Sequence, residues 1–162
     1  MQVHTCRWLY WSVDYSRTIE RVSMDGSNRT EVVDILYTPH HRILSLTLDY
    51  QAQVIYWVGY DNNDDSTRVN SSNVDGTNGQ TILQFPTDYR YHYYYNTYQH
   101  GLSLFEDTFF LSKPLNSEVN KFIIGENLTT ISNGMHCSSY YGRLKIVSEQ
   151  HQQSGDNHTP IQ

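Results

Sequence analysis

The chain repeats itself. Tyr10-Trp11 returns as Tyr56-Trp57, and Phe110-Leu111 stands in the equivalent place further on. The turn Asp25-Gly26-Ser27-Asn28 returns as Asp75-Gly76-Thr77-Asn78 and, more faintly, as Gly125-Glu126-Asn127, with spacings of 75 − 25 = 50 and 125 − 75 = 50 residues. A fixed period in the range of about 20–50 residues marks a propeller, a solenoid or an array. In such folds each unit is one supersecondary element that cannot bury its apolar face alone, so neighbouring units must cover it.

The content of each unit is β. The 162-residue chain is 38 % apolar, with 14 tyrosines among the apolar positions, and its mean hydropathy is negative. Tyr, Trp, Ile and Val suit pleated, half-buried strands. In the first unit, Trp8 to Val13 is an apolar-aromatic run, Thr18 to Ser23 alternates through Ile19 and Val22, and Thr30 to Val33 follows the Asp-Gly turn. The second unit adds a strand in front, Ile43 to Asp49, read as Leu44, Leu46 and Leu48 on one face and Ser45, Thr47 and Asp49 on the other. Val54 to Val58, Arg68 to Asn73 and Gln80 to Gln84 continue it. Gly101 to Asp107, Thr108 to Ser112, Val119 to Ile124 and Thr129 to Ile131 make the third. Four short antiparallel strands per unit describe a propeller blade.

Several function classes drop out. The net charge of −6, without a basic stripe, argues against nucleic acid as a partner. No run of about 18 apolar residues exists to insert in a membrane. No HExxH, CxxC, GxSxG or Walker loop occurs, and no cofactor site is expected. His40 and His41 are adjacent, so on a strand they point to opposite faces and cannot clasp one metal. The acidic run Asp61 to Asp65 fails the EF-hand test, because its sixth and twelfth positions are Ser66 and Ser72. It reads as a solvated loop. Asp88 to Tyr98, rich in tyrosine, reads as an insertion or outer strand packed on its neighbours, or as an aromatic contact surface.

Four N-x-Ser/Thr acceptors, Asn28, Asn70, Asn127 and Asn157, point to a secreted setting, whereas the first residues lack the basic start and apolar core of a secretory signal. Both fit a fragment of something longer. Cys6 and Cys137 are open to three readings: a mutual disulfide, pairing with segments elsewhere, or free thiols.

In order, Tyr10-Trp11, Ile19-Glu20-Arg21, Asp25-Gly26-Ser27-Asn28 and Leu46-Thr47-Leu48-Asp49, then Tyr56-Trp57 and Asp75-Gly76-Thr77-Asn78, resemble the YWTD, or class B, repeats of the low-density lipoprotein receptor family. The resemblance covers about residues 8 to 157. It implies an all-β fold: part of a six-bladed propeller, with about three four-stranded blades (1–35, 36–87 and 88–134) in an open arc within residues 1–147. An exit strand at 142–147 and a polar tail at 148–162, expected to be disordered, complete the division. It also implies a non-enzymatic module capturing a protein ligand at the extracellular face of the plasma membrane. The remaining blades and EGF-like modules would lie in the parent chain. The alternatives are a structural propeller packed on neighbouring modules and a truncated product without independent function. Tyr10, Trp11, Asp25, Gly26, Asp49, Tyr56, Trp57, Asp75 and Gly76 are its structural residues. One departure stands out: the family's Asp two residues after Trp is Val13, Gly59 and Lys113 here.

Overall fold

The computed structural model describes residues 8–13, 18–34, 41–61, 63–86, 101–113, 118–126 and 129–132. Every regular element among them is a β-strand. Strands β1 (Trp8–Val13), β2 (Thr18–Ser23) and β3 (Thr30–Asp34) form one antiparallel sheet in sequence order. Strands β4 (His41–Asp49), β5 (Val54–Asp61), β6 (Ser66–Asn73) and β7 (Gln80–Pro86) form a second. Strands β8 (Gly101–Phe105), β9 (Thr108–Lys113), β10 (Glu118–Ile123) and β11 (Thr129–Ser132) form a third. The sheets pack face to face in succession as blades of a partial β-propeller. The first strands of blades two and three, β4 and β8, run side by side, and the Leu102 N–H donates to Ser45 Oγ at 3.1 Å.

The register makes the repeat exact in space. Trp11 pairs with Glu20, Trp57 with Asn70 and Leu111 with Asn120, so Phe110-Leu111 does stand where Tyr-Trp stands in the other blades. A β-bulge interrupts the outermost strand pair of each blade at the same step: between Ile19 and Glu20, Val69 and Asn70, and Val119 and Asn120. The extra outer-strand residues are Val32, Ile82 and Ile131.

Because side chains alternate along a strand, each blade has a leading face toward the preceding blade and a trailing face toward the next. On β5 the dipeptide splits between them. Trp57 and Ile55 join Ile19, Tyr10, Val32 and Val33 of blade one in one core cluster. Tyr56 and Val58 join Phe109, Leu111 and Phe122 of blade three in the other. There Tyr56 meets Phe109 edge-on at 4.7 Å, and Phe109 stacks on Phe122 at 4.9 Å. Blade two is thus buried on both faces, and seven of the eight β5 residues are buried.

One reading needs correction. Leu44 does not share a face with Leu46 and Leu48. A bulge between Ile43 and Ser45 turns Leu44 toward the blade-three cluster, while Leu46 and Leu48 pack with Trp57. The third turn keeps the 50-residue period: the Gly26, Gly76 and Glu126 N–H groups donate to the Ser23, Asn73 and Ile123 carbonyls at 2.8, 2.9 and 2.9 Å, so Gly125 stands at the place of Asp25 and Asp75. The connection is one residue shorter only beyond that bond, since Lys121 pairs with Thr129 where Arg21 pairs with Thr30 and Ser71 with Gln80.

Among the described residues, nothing covers the two end faces. Leu9 on the leading face of blade one is 52 % exposed, whereas its counterparts Ile55 and Phe109 are 0 % and 1 % exposed. On the trailing side, Ile19 and Val69 are buried, but Val119, with no described blade beyond it, is half-buried. Cys6, Cys137, Asn127, Asn157, residues 88–98, the strand at 142–147 and the tail at 148–162 lie outside the described residues.

Candidate functional site

The site begins with the turn that joins the two outer strands of a blade. In blade one, Asp25 Oδ1 accepts the Ser27 N–H at 2.9 Å and the Ser27 hydroxyl at 2.7 Å. In blade two, Asp75 Oδ1 accepts the same two groups of Thr77 at 3.0 and 2.6 Å. These bonds stabilise the carboxylate, and both aspartates lie below their usual pKa chiefly through the hydroxyl bond. Gly26 and Gly76 follow with φ of 83° and 88°, a left-handed backbone that glycine adopts without a steric cost. Asn28 and Asn78 also take positive φ, which asparagine tolerates. The Asp-Gly-Ser/Thr-Asn pattern is therefore one backbone shape written in side chains.

In blade two that shape is a socket. A β-carbon at Gly76 would lie 1.8 Å from Val32 O, the carbonyl of the blade-one bulge residue. The outer strand of blade one thus seats on bare backbone. Next to it, Arg21 Nη1 donates to Val74 O at 3.0 Å while its guanidinium lies 4.3 Å over the Trp8 ring. Tyr50 of the β4–β5 turn donates its hydroxyl to Trp8 O at 3.3 Å. Asp49 holds that turn by accepting the Gln51 and Ala52 N–H groups at 2.9 and 2.8 Å. Tyr10, Asp49, Tyr56, Trp57, Asp75 and Gly76 are therefore brought to the blade interfaces and their turns, whereas Asp25 and Gly26 form the uncovered turn of blade one and Trp11 lies on its leading face under Arg29. Burial, with the Asp49 charge second, pushes the Tyr56 phenol up.

Beside the socket, blades one and two part to leave a half-open cleft of about 490 Å³. Val32, Val33 and Asp34 form one wall; Trp57, Gly59, Asp61, Arg68, Asn70 and Thr81 contribute to the other. All of these blade-two positions on β5 and β6 belong to the leading face. The cleft exists partly because position 59 is glycine. A β-carbon there would meet Asn70 Nδ2 at 3.5 Å, Arg42 O at 3.6 Å and Trp57 Cδ1 at 4.0 Å, so the space is available. The Trp57 indole N–H is buried without a hydrogen-bond partner.

The acidic run is tied up in its own hairpin. Arg68 bridges Asp61, at 2.5 Å, and Asp64. Asp64 Oδ1 also accepts the Ser66 hydroxyl at 2.6 Å, and Asp65 accepts the Tyr60 hydroxyl at 2.8 Å. Among the described residues, no group of three or more His, Cys, Asp and Glu stands in metal-holding geometry. Of the glycosylation candidates, Asn28 is exposed on its turn. Asn70 lies mid-strand in the cleft, where its Oδ1 accepts the Thr81 hydroxyl at 2.8 Å.

The sequence reading did not find the cleft residues Gly59, Arg68 and Thr81 or the bulge residues Val32 and Ile82. The bulges did leave a signal: Val32 and Ile82 each lie six residues after a turn glycine.

No family model and no curated protein matches the chain. Solved structures do. A chain in the crystal structure of a nidogen/laminin complex superposes with a TM-score of 0.52 at 19 % identity, over 74 % of this chain and 42 % of that one. The periplasmic gluconolactonase PpgL of Pseudomonas aeruginosa matches with a TM-score of 0.47 at 9 % identity, over 78 % of this chain and 36 % of that one. The first likeness establishes the fold, and this chain spans less than half of that chain's length. No helix among the described residues is long and apolar enough to cross a membrane.

Proposed function

We propose that this chain is a segment of a non-enzymatic, protein-binding propeller on the extracellular side of a receptor related to the low-density lipoprotein receptor family. The observation that carries the reading is the cleft between blades one and two. It presents Trp57 and Arg68, residue types over-represented where binding energy concentrates, on a blade held from both faces. Rigid scaffolds with irregular grooves and loops are the usual carriers of recognition. The polar groups of the cleft serve structure: Arg68 bonds to Asp61 and Asp64, and Asn70 bonds to Thr81, an arrangement that favours binding over catalysis. The YWTD-like order of motifs supports the receptor relationship, and the nidogen/laminin likeness supports a protein as ligand.

The test has two arms. The chain is expressed through a eukaryotic secretory pathway and treated with an N-glycosidase. A mass loss that disappears in Asn28→Gln supports the extracellular setting, and no loss at any acceptor refutes it. Immobilised chain is then titrated with laminin fragments by interferometry, alongside Thr81→Arg, which fills the cleft. Saturable binding weakened at least tenfold by Thr81→Arg is expected. Binding unchanged by it refutes the cleft as the contact surface and favours a scaffold role.

A further inference from the structure

One polar group of the cleft takes no part in holding the blade. Trp57 is only 5 % exposed, yet its indole N–H is buried without a hydrogen-bond partner. A buried donor left unpaired costs free energy, so such groups ordinarily find an acceptor. The surroundings show where that acceptor would enter. The indole carbon bonded to the nitrogen, Cδ1, lies 4.0 Å from the place where a β-carbon at Gly59 would stand, and Asn70 Nδ2 lies 3.5 Å from the same place. The other end of that amide, Asn70 Oδ1, already accepts the Thr81 hydroxyl. Gly59 therefore leaves a hollow bordered by two N–H donors, and the hollow opens into the cleft of about 490 Å³ between two blades that the chain itself supplies.

The charges of the cleft decide which kind of acceptor fits. Among the described residues that line it, Asp34 and Asp61 are acidic and Arg68 is basic. Arg68 bridges Asp61 within the wall, and Asp34 is exposed. A carboxylate brought beside two like charges and one opposite charge is repelled on balance. A neutral carbonyl oxygen has two lone pairs for the two donors, and an amide adds N–H groups that a carboxylate such as Asp34 can accept. We infer that the Gly59 hollow is a carboxamide subsite, in which an amide carbonyl of the protein ligand accepts from Trp57 Nε1 and Asn70 Nδ2. This rests on the reading of the cleft as a protein-binding surface and names the group that the cleft recognises. Two sources offer that group: the side chain of an asparagine or glutamine, and a backbone peptide unit.

The experiment follows the indole N–H signals of the full 162-residue chain by nuclear magnetic resonance. Trp8→Phe and Trp11→Phe, at half-buried positions, assign the Trp57 signal by elimination. Acetamide, N-methylacetamide and acetate are titrated from millimolar to near-molar concentration at neutral pH and matched ionic strength. The expected result is a saturable downfield shift of the Trp57 signal with an amide, not shared by Trp8 or Trp11, and at least fivefold weaker binding of acetate. Tighter binding of acetamide assigns a side-chain amide, and tighter binding of N-methylacetamide a backbone one. Asp34→Asn should bring acetate to within twofold of acetamide. Gly59→Asn has room for its β-carbon and carries a carboxamide of its own into the hollow. It should abolish the acetamide response and hold the Trp57 signal near the position that saturating acetamide gives. No saturable shift with either amide overturns the inference, as does acetate binding as tightly as the amides. A silent Trp57 signal alongside protein binding that Thr81→Arg weakens removes the subsite and leaves the cleft. A saturable shift without any protein binding keeps the subsite and removes the protein ligand.

Discussion

Val32 O approaches the Gly76 backbone so closely that no side chain fits between them, which makes Gly76→Ala a sharp probe of how the fold is held. Two costs combine. Placing an L-residue in the left-handed region costs about 1–2 kcal/mol. The new β-carbon would also lie 1.8 Å from Val32 O, whereas such contacts do not fall below 3.0 Å, so the blades must part by at least 3.0 − 1.8 = 1.2 Å. That retreat disturbs the cluster of Ile19, Ile55 and Trp57, and forced separation of a packed interface costs about 1–3 kcal/mol. The total is about 2–5 kcal/mol. Gly26→Ala supplies the control, because its turn and φ are the same but its β-carbon meets nothing; it should lose only the backbone cost, about 1–2 kcal/mol. Urea unfolding of the monomer, followed by tryptophan fluorescence and circular dichroism, reads both midpoints and slopes. The chain is a row of blades, so the Gly76 variant could instead show an early transition confined to blade one, which reports the same loss. Equal destabilisation by the two substitutions would refute the carbonyl socket as a determinant of packing.

Other outcomes follow from the same geometry. Gly59→Ala sits in a strand interior with contacts no closer than 3.5 Å, so it should stabilise the chain by about 0.5–1 kcal/mol and raise Tm; a fall in Tm would contradict the open space read there. Phe109→Ala, at a buried ring that meets Tyr56 of blade two edge-on, should cost about 3–5 kcal/mol, while Leu9→Ala at the exposed face should stay within about 0.5 kcal/mol in the monomer, both read from urea midpoints. Asp25 and Asp75 titrate below the ordinary value of 3.8, so their stabilising effect is complete above that pH and disappears as pH falls through the lower folded values. Carboxyl chemical shifts should show Arg21→Met raising the Asp75 pKa but not that of Asp25; equal movement of both would remove Arg21 from the account.

The strands were legible because strand chemistry is local. Aromatic and β-branched runs, broken by Asp-Gly turns whose φ only a few residues accept, locate β1 to β11 to within a few residues. Even Phe110-Leu111, with neither Tyr nor Trp, could be placed by spacing, and the register agrees. The face of Leu44 was not legible, because a bulge adds one residue without a composition signal and reverses the alternation beyond it. The third turn was legible at the 50-residue period, and its closing bond agrees; the loss of one residue beyond it left no signal in the composition. The cleft was out of reach for a deeper reason. It joins β3 to β5, β6 and β7, and its volume depends on an absence at Gly59 that only the opposing wall makes meaningful.

The dipeptide at the centre of the repeat carries the architecture in two residues. Neighbours on a strand point to opposite faces, so two large aromatics in succession are useful only where both faces are covered. Blade two meets that condition: Tyr56 is 7 % and Trp57 is 5 % exposed. Blade one carries the same pair with cover on one side, and its chemistry differs on the bare side. Where blade two has Asn70 hydrogen-bonded within the cleft, blade one has Glu20, paired with Arg29 at 2.7 Å, and the Arg29 guanidinium lies 5.5 Å over Trp11. Solvent screens an exposed pair of this kind, so it contributes far less than burial of an indole under a neighbouring blade. The pair shields Trp11 weakly and is readily displaced, so it leaves the leading face of blade one able to pack as that of blade two already does.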